Sequence, residues 1–238
     1  MIAAHCLNCE TEFGGDFCPA CGQRADTARI TLRRLLSPVL ELASWERGLV
    51  QTSVALVTRP GKSINDYLAG KRVRYVPPIK FVAIVISAVL VLLWLLGPVD
   101  AAGRDTRQVE LLHRMARMIE QYGNVLFLST VPFIAAATRI LFRARGLNFA
   151  EHLVVNAYVF GIQNLVSLPI LPLQRYSPAT ETWLGIVYFV FYVGYFAVVL
   201  RQVMARRWWT AGLAAVAISV AVYLAYFLAL AALIRFLG

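Results

Sequence analysis

Charge is what this sequence has least of. Asp, Glu, Lys and Arg make up 15% of its 238 residues, against 59% hydrophobic ones, and mean hydropathy is +0.65. A soluble chain of this length would fold as one or two domains behind a charged surface. Several apolar windows long enough to cross a bilayer exclude that class and predict a polytopic membrane protein. Acidic residues are the scarcer sign, 13 against 23 basic ones, for a net charge of +10. In a soluble domain that excess would suggest nucleic acid. Here eleven of the 23 basic residues precede Phe81, where membrane-surface electrostatics accounts for them. No Gly-rich phosphate loop, nucleophile elbow or repeated carboxylate–histidine motif is present, so no reaction class is indicated. A basic start followed by an apolar core is also missing at the N-terminus, and no cleavable signal peptide is expected. Cysteine stops at Cys21.

The stretch Arg59 to Lys80, RPGKSINDYLAGKRVRYVPPIK, divides the chain. Arg59, Lys62, Lys71, Arg72, Arg74 and Lys80 place six positive charges ahead of the first long apolar run, Phe81 to Leu96. Such a collar favours the cytoplasmic face of a bilayer and attracts anionic lipid headgroups, roughly 1 kcal/mol per basic side chain near the surface. It reads either as a positive-inside anchor or as a binding collar for lipid or a protein partner. Pro60-Gly61 is expected to break the chain, Ser63 to Leu68 to form a short helix, and Gly70 to follow its last turn. Pro77-Pro78 is expected to reset the chain direction before the membrane.

All four cysteines sit in the first 24 residues, as Cys6-Leu-Asn-Cys9 and Cys18-Pro-Ala-Cys21. Two such C-x2-C knuckles place four thiolates in reach of one tetrahedral zinc, with sulfur about 2.3 Å from the metal. Gly22 permits the tight turn after the second pair. Glu10 to Phe17, with Gly14-Gly15 at its centre, has the length for a hairpin between the knuckles. The segment resembles the short zinc ribbons at the termini of many bacterial proteins, whose second knuckle commonly reads FCPxCG, here Phe17 to Gly22. Two disulfides would need an oxidising compartment, whereas the downstream charge puts this end in the cytoplasm. The expectation is a closed structural zinc site with no open position for catalysis and with His5 surplus. The ribbon lacks the interleaved aromatics that stack on bases, so DNA is not an expected partner.

Three regions follow: a zinc ribbon at 1–24, a basic amphipathic region at 25–78 and a transmembrane bundle at 79–238. From Ile30, the residues Leu32, Leu35, Leu36, Val39 and Leu40 recur at helical spacing, with Pro38 as a kink. Trp45 to Thr58 is apolar but too short to span. Both segments are expected to lie on the inner leaflet or pack on the membrane core, or else to re-enter the membrane as a hairpin. The fold class is all-α, with about five transmembrane helices at about 79–97, 123–142, 149–173, 182–200 and 208–237. Seventeen basic residues then fall on the inner side and six on the outer, which predicts the N-terminus in the cytoplasm and the C-terminus outside. The 100–121 segment balances its arginines with acids and can cross as an exposed loop. Trp94 and Trp183 suit the outer interface, and Trp208-Trp209 the inner one.

The third span is the most polar. At 100° per residue, His152, Asn156, Gln163 and Ser167 fall within about 60° of one another, with Glu151 to one side. Such groups must face protein, water or each other in a bilayer, so the stripe points into the bundle. It is either a path for substrate, ion or proton, or glue between helices at about 1 kcal/mol per hydrogen bond. Glu151 is expected beside the basic residues Arg139, Arg143 and Arg145. Tyr188, Tyr192 and Tyr195 form a second stripe on the fourth span, read as packing residues whose hydroxyls find partners, or as cavity lining.

A cysteine ribbon, then ERGLVQTSVALVTRPG, then YLAGKRVRYVPP, then hydrophobic spans resembles a family of uncharacterised bacterial inner-membrane proteins, catalogued as a domain of unknown function. Pro60-Gly61, Tyr67, Gly70-Lys71-Arg72, Tyr75 and Pro78 carry the resemblance. It implies a location and an architecture but no activity. It also implies a Glu-His pair opening a later span, matched by Glu151-His152, and a second histidine six residues on, where this chain has Tyr158. The leading expectation is a non-enzymatic membrane protein whose zinc ribbon docks a cytoplasmic partner or stabilises the collar. A small transporter or channel using the third span, working as a homo-oligomer, is the alternative. A lipid-acting membrane enzyme with Glu151-His152 as acid and base is the third reading.

Overall fold

Proline and glycine set the joints of the fold. The computed structural model describes residues 4–27, 29–32, 35, 48–97, 110, 129–174, 178–204 and 207–237, the side chains of 178–179 and most of those beyond 222 excepted. Strands β1 (Ala4–His5) and β2 (Glu12–Phe13) pair antiparallel, with Ala4 opposite Phe13. Helices α1 (Gly48–Thr58), α2 (Pro60–Leu68) and α3 (Pro78–Leu96) follow. Then come α4 (Ser129–Leu141), a 3-10 turn at Arg143–Arg145, α5 (Phe149–Leu173), α6 (Pro178–Met204) and α7 (Trp208–Leu237). Most of the helix expected from Ile30, with its Pro38 kink, and nearly all of the 100–121 segment fall outside the described residues.

Pro60 opens α2 instead of standing ahead of it as a break. Its fixed φ suits a first turn, where its missing N–H would have had no helical partner. The bend itself falls on Arg59, at φ −141° and ψ 58°. Carbonyls at the end of α1 also receive side chains: Ala55 O, which already accepts the Arg59 N–H at 2.9 Å, takes Ser63 Oγ at 3.0 Å, and Leu56 O takes Tyr195 Oη at 3.1 Å. The Gly61 N–H donates to Gln202 Oε1 at 2.8 Å, tying α2 to α6.

Helix α5 is the centre of the bundle, and every residue from Ala150 to Gln163 is buried. It packs against α3 and α6, and also against α1 and α2. Phe81, Val82, Val85 and Ile86 of α3 share a core with Val154, Ala157, Tyr158 and Ile162 of α5. Between apolar helices in lipid, close contact and interhelical hydrogen bonds do the holding, because no water is left to exclude. Pro169 and Pro172 do not end α5, which runs to Leu173.

Three helices, Pro78–Leu96, Phe149–Leu173 and Thr180–Met204, are long and apolar enough to cross a membrane. Five were expected. The second expected span, 123–142, is present as the shorter apolar helix Ser129–Leu141, and the last as an apolar stretch over Trp208–Val222. Residues 121–128 and most side chains beyond 222 lie outside the described residues.

Candidate metal centre and its seat on the basic collar

The two knuckles repeat one backbone pattern. Cys6 N–H donates to Thr11 O at 3.0 Å, and Glu10 N–H returns to Cys6 O at 2.9 Å. Cys18 N–H donates to Gln23 O at 2.8 Å, and Gly22 N–H returns to Cys18 O at 2.8 Å. The residue after each second cysteine takes positive φ, 73° at Gly22 and 64° at Glu10. Gly22 adopts it freely, whereas Glu10 carries a Cβ penalty there. Each knuckle is its own hairpin turn: β1 and β2 flank the first, and a bridge between Phe17 and Arg24 flanks the second. The hairpin expected between the knuckles around Gly14-Gly15 is therefore not the arrangement found. The pairing wraps the cysteines because the tight turns are at the cysteines themselves.

All four cysteines are free, and their sulfurs lie within 4.8 Å of one another. A metal held tetrahedrally by four thiolates at about 2.3 Å needs sulfurs about 3.8 Å apart. Cys6–Cys21 and Cys9–Cys18, each at 3.5 Å, are close to that spacing. Thr11 side-chain and backbone hydrogen bonds draw the Cys9 thiol down to about 6. Cys21, despite a hydrogen bond from the Gln23 backbone, is pushed up to about 11 by burial and by Cys6 and Cys9. Sulfurs this close cannot all ionise without a cation between them, and a four-thiolate metal meets that condition. His5 lies on β1 opposite Glu12, outside the cysteine group.

The ribbon is seated on the collar. A methyl group built on Gly70 would lie 2.8 Å from Leu7 Cδ1, so the ribbon rests directly against this glycine, whose φ of 104° is what requires it. Buried Gln23 accepts from the Arg72 N–H at 3.2 Å through Oε1. The following linker is strapped to α5: Arg29 Nε and Nη2 reach the two Glu151 oxygens at 2.8 Å each, and Nη2 also donates to Gly146 O at 2.6 Å. Asn148 Nδ2 donates to Ile30 O at 3.0 Å. Glu151 thus pairs with Arg29 and not with Arg139, Arg143 or Arg145 as expected; Arg145 Nη2 donates instead to Val203 O at 3.1 Å. The preference is geometric. Glu151 also closes a capping box, Glu151 N–H to Asn148 Oδ1 at 2.9 Å and Asn148 N–H to Glu151 Oε2 at 2.7 Å, which aims the carboxylate at the linker.

The six collar cations do not act alike. Arg59, Lys62 and Arg74 are exposed. Lys71 Nζ pairs loosely with Asp66 Oδ1 at 3.7 Å. Arg72 is half-buried beneath the ribbon, and Lys80 is buried at the start of α3.

The polar stripe of α5 divides between two neighbours. His152 Nδ1 is 3.1 Å from Thr138 Oγ1 of α4, and Asn156 Nδ2 donates to the same oxygen at 2.9 Å and to His152 O at 2.7 Å. Gln163 turns to α6, donating to Tyr192 O at 2.9 Å, while Tyr188 Oη donates to Gln163 O at 3.1 Å. Ser167 Oγ donates to Asn164 O at 2.6 Å. A cavity of about 250 Å³ adjoins this half of the stripe, with Thr130, Asn164, Ser167, Tyr188 and Tyr192 among mainly apolar walls.

Sequence reasoning missed Arg29, Gln23 and Thr138, and it named Tyr158 without its partner. The Tyr158 hydroxyl donates to Val76 O at 2.8 Å, and Thr52 Oγ1 accepts from the Val76 N–H at 2.9 Å. Asn148-x-x-Glu151 was the one legible signal among these contacts, since that spacing is a capping box.

Residues 46–90 match the family described as "Protein of unknown function (DUF3667)". The match covers α1, α2, the collar and much of α3, which includes the residues that carried the resemblance; the four cysteines lie outside it. No curated protein and no solved structure matches the chain.

Proposed function

We propose that this chain is a non-enzymatic integral membrane protein of the bacterial inner membrane, whose ribbon binds one structural zinc and clamps the cytoplasmic end of the bundle. The observation that carries the reading is the seat of the ribbon: Leu7 against Gly70, and Gln23 on the Arg72 backbone. Cys6, Cys9, Cys18 and Cys21 would hold the ion and fill its coordination, leaving no position for substrate. The ion supplies the charge that lets four thiolates coexist and cross-links both knuckles. We further propose five spans with the N-terminus inside, supported by the basic asymmetry and by exposed Trp94, Trp183, Trp208 and Trp209. Anionic headgroups at the collar are the lipid partner, and the exposed Phe17 face of the ribbon is where a cytoplasmic protein would dock.

Purified full-length protein is expected to carry one zinc per chain. Removing it with a chelator should raise hydrogen exchange at residues 4–27 and at 70–76 while the spans stay protected. Metal-free protein with unchanged exchange at 70–76 would show that the ribbon clamps nothing.

A second reading, a small oligomeric transporter, draws on the cavity beside Asn164 and Ser167. Nothing comparable favours a lipid-acting enzyme, since the Glu151 carboxylate is engaged by Arg29 and by the Asn148 N–H.

A further inference from the structure

A small pocket forms in the collar. Ala55 of α1, Arg59 at the bend, Lys62, Ser63 and Asp66 of α2, and Arg74 and Tyr75 of the turn before α3 surround about 30 Å³. At about 10–15 Å³ for each water-sized occupant, that is room for about two oxygen atoms. Three cations line it, and among the described residues none of Arg59, Lys62 and Arg74 has an ion-pair partner. The one acid in the wall, Asp66, faces Lys71 Nζ at 3.7 Å and accepts from Tyr75 Oη at 3.5 Å. Its charge is offset on the side of Lys71, which leaves the three free cations in excess.

We propose that Arg59, Lys62 and Arg74 form a phosphate site that takes the phosphodiester of an anionic lipid headgroup. Two non-bridging oxygens are what the pocket can hold, and the rest of the ligand must stay outside. Arginine offers paired N–H donors to such oxygens, and lysine adds a point charge. The neighbouring helix agrees with a lipid source: α1 has no charged residue and leaves Val50, Val54 and Val57 more than half exposed on one stripe. A stripe of that kind belongs against acyl chains. This inference rests on the reading that the collar meets anionic headgroups, and it narrows six cations to three.

The test uses the full chain in detergent, with bound lipid counted by native mass spectrometry and melting followed in parallel. Phosphatidylglycerol should give a one-to-one adduct and raise the melting temperature, and phosphatidylcholine should do neither. R59Q, K62Q and R74Q should each weaken phosphatidylglycerol retention about tenfold or more, whereas R143Q should change it less than twofold. R74K, which keeps the charge, should retain most of the binding, and D66N should strengthen it. A loss confined to variants whose lipid-free melting has also collapsed would count against the site unless R74K restores both. Inorganic phosphate that competes with the lipid at millimolar concentration supports the phosphate chemistry but assigns it to a free anion. Equal losses from all the basic substitutions would overturn the pocket and leave a diffuse collar standing. Equal retention of both lipids by the unaltered protein would sink the collar reading as well.

Discussion

Val76 has the most constrained backbone at the residue scale. It precedes Pro77-Pro78, two residues with no N–H to offer, and it is buried. Its own N–H and carbonyl are met by side chains from two different helices, Thr52 of α1 and Tyr158 of α5. Tyr158→Phe keeps the ring against Tyr67, whose centroid is 5.5 Å away, but strands a buried carbonyl. A stranded buried group costs about 1–3 kcal/mol. Tyr158→Phe and Thr52→Val are each expected to lower the melting temperature in detergent, with zinc content unchanged. A Tyr158→Phe protein that melts like the parent would mean the hydroxyl contributes nothing. Where the resemblance implies histidine, the tyrosine hydroxyl holds the backbone of the collar.

At the scale of elements, Gly70 joins ribbon to collar. Gly70→Ala meets both the strain of positive φ, about 1–2 kcal/mol, and the Leu7 side chain. Limited proteolysis should release the ribbon from the variant faster than from the parent, while the spans remain intact. Equal rates would show that the seat holds nothing in place. The same elements show what could be read from sequence. The boundaries of α3 and α5 fall within a residue of those expected, and Pro77-Pro78 is a local signal for the first. The clustering of the four cysteines was legible because their spacing is local too. Where the ribbon sits was not, since Gln23 meets Arg72 across 49 residues and Arg29 meets Glu151 across 122. The two halves of the α5 stripe also needed neighbours that no periodicity names. His152 and Asn156 found Thr138, and Gln163 found a backbone carbonyl on α6.

For the whole molecule, the proposed arrangement of five spans puts the two termini on opposite sides of the membrane. A reporter active only outside the cytoplasm, fused after Gly238, should work, and activity only inside would mean a span has been miscounted. The Arg29–Glu151 strap has a consequence in time. Arg29 is more than half exposed, so solvent screens the pair from that side. Its partner, however, is synthesised 122 residues later. At about 5–20 residues per second, the linker waits roughly 6–24 s before the carboxylate that straps it exists. The seat of the ribbon at Gly70 and Arg72 is made of residues synthesised well before that. Strapping then becomes a late event, available only to chains in which the Glu151 turn has been delivered to the same side as the linker. A chain threaded the wrong way would keep its Arg29 linker loose.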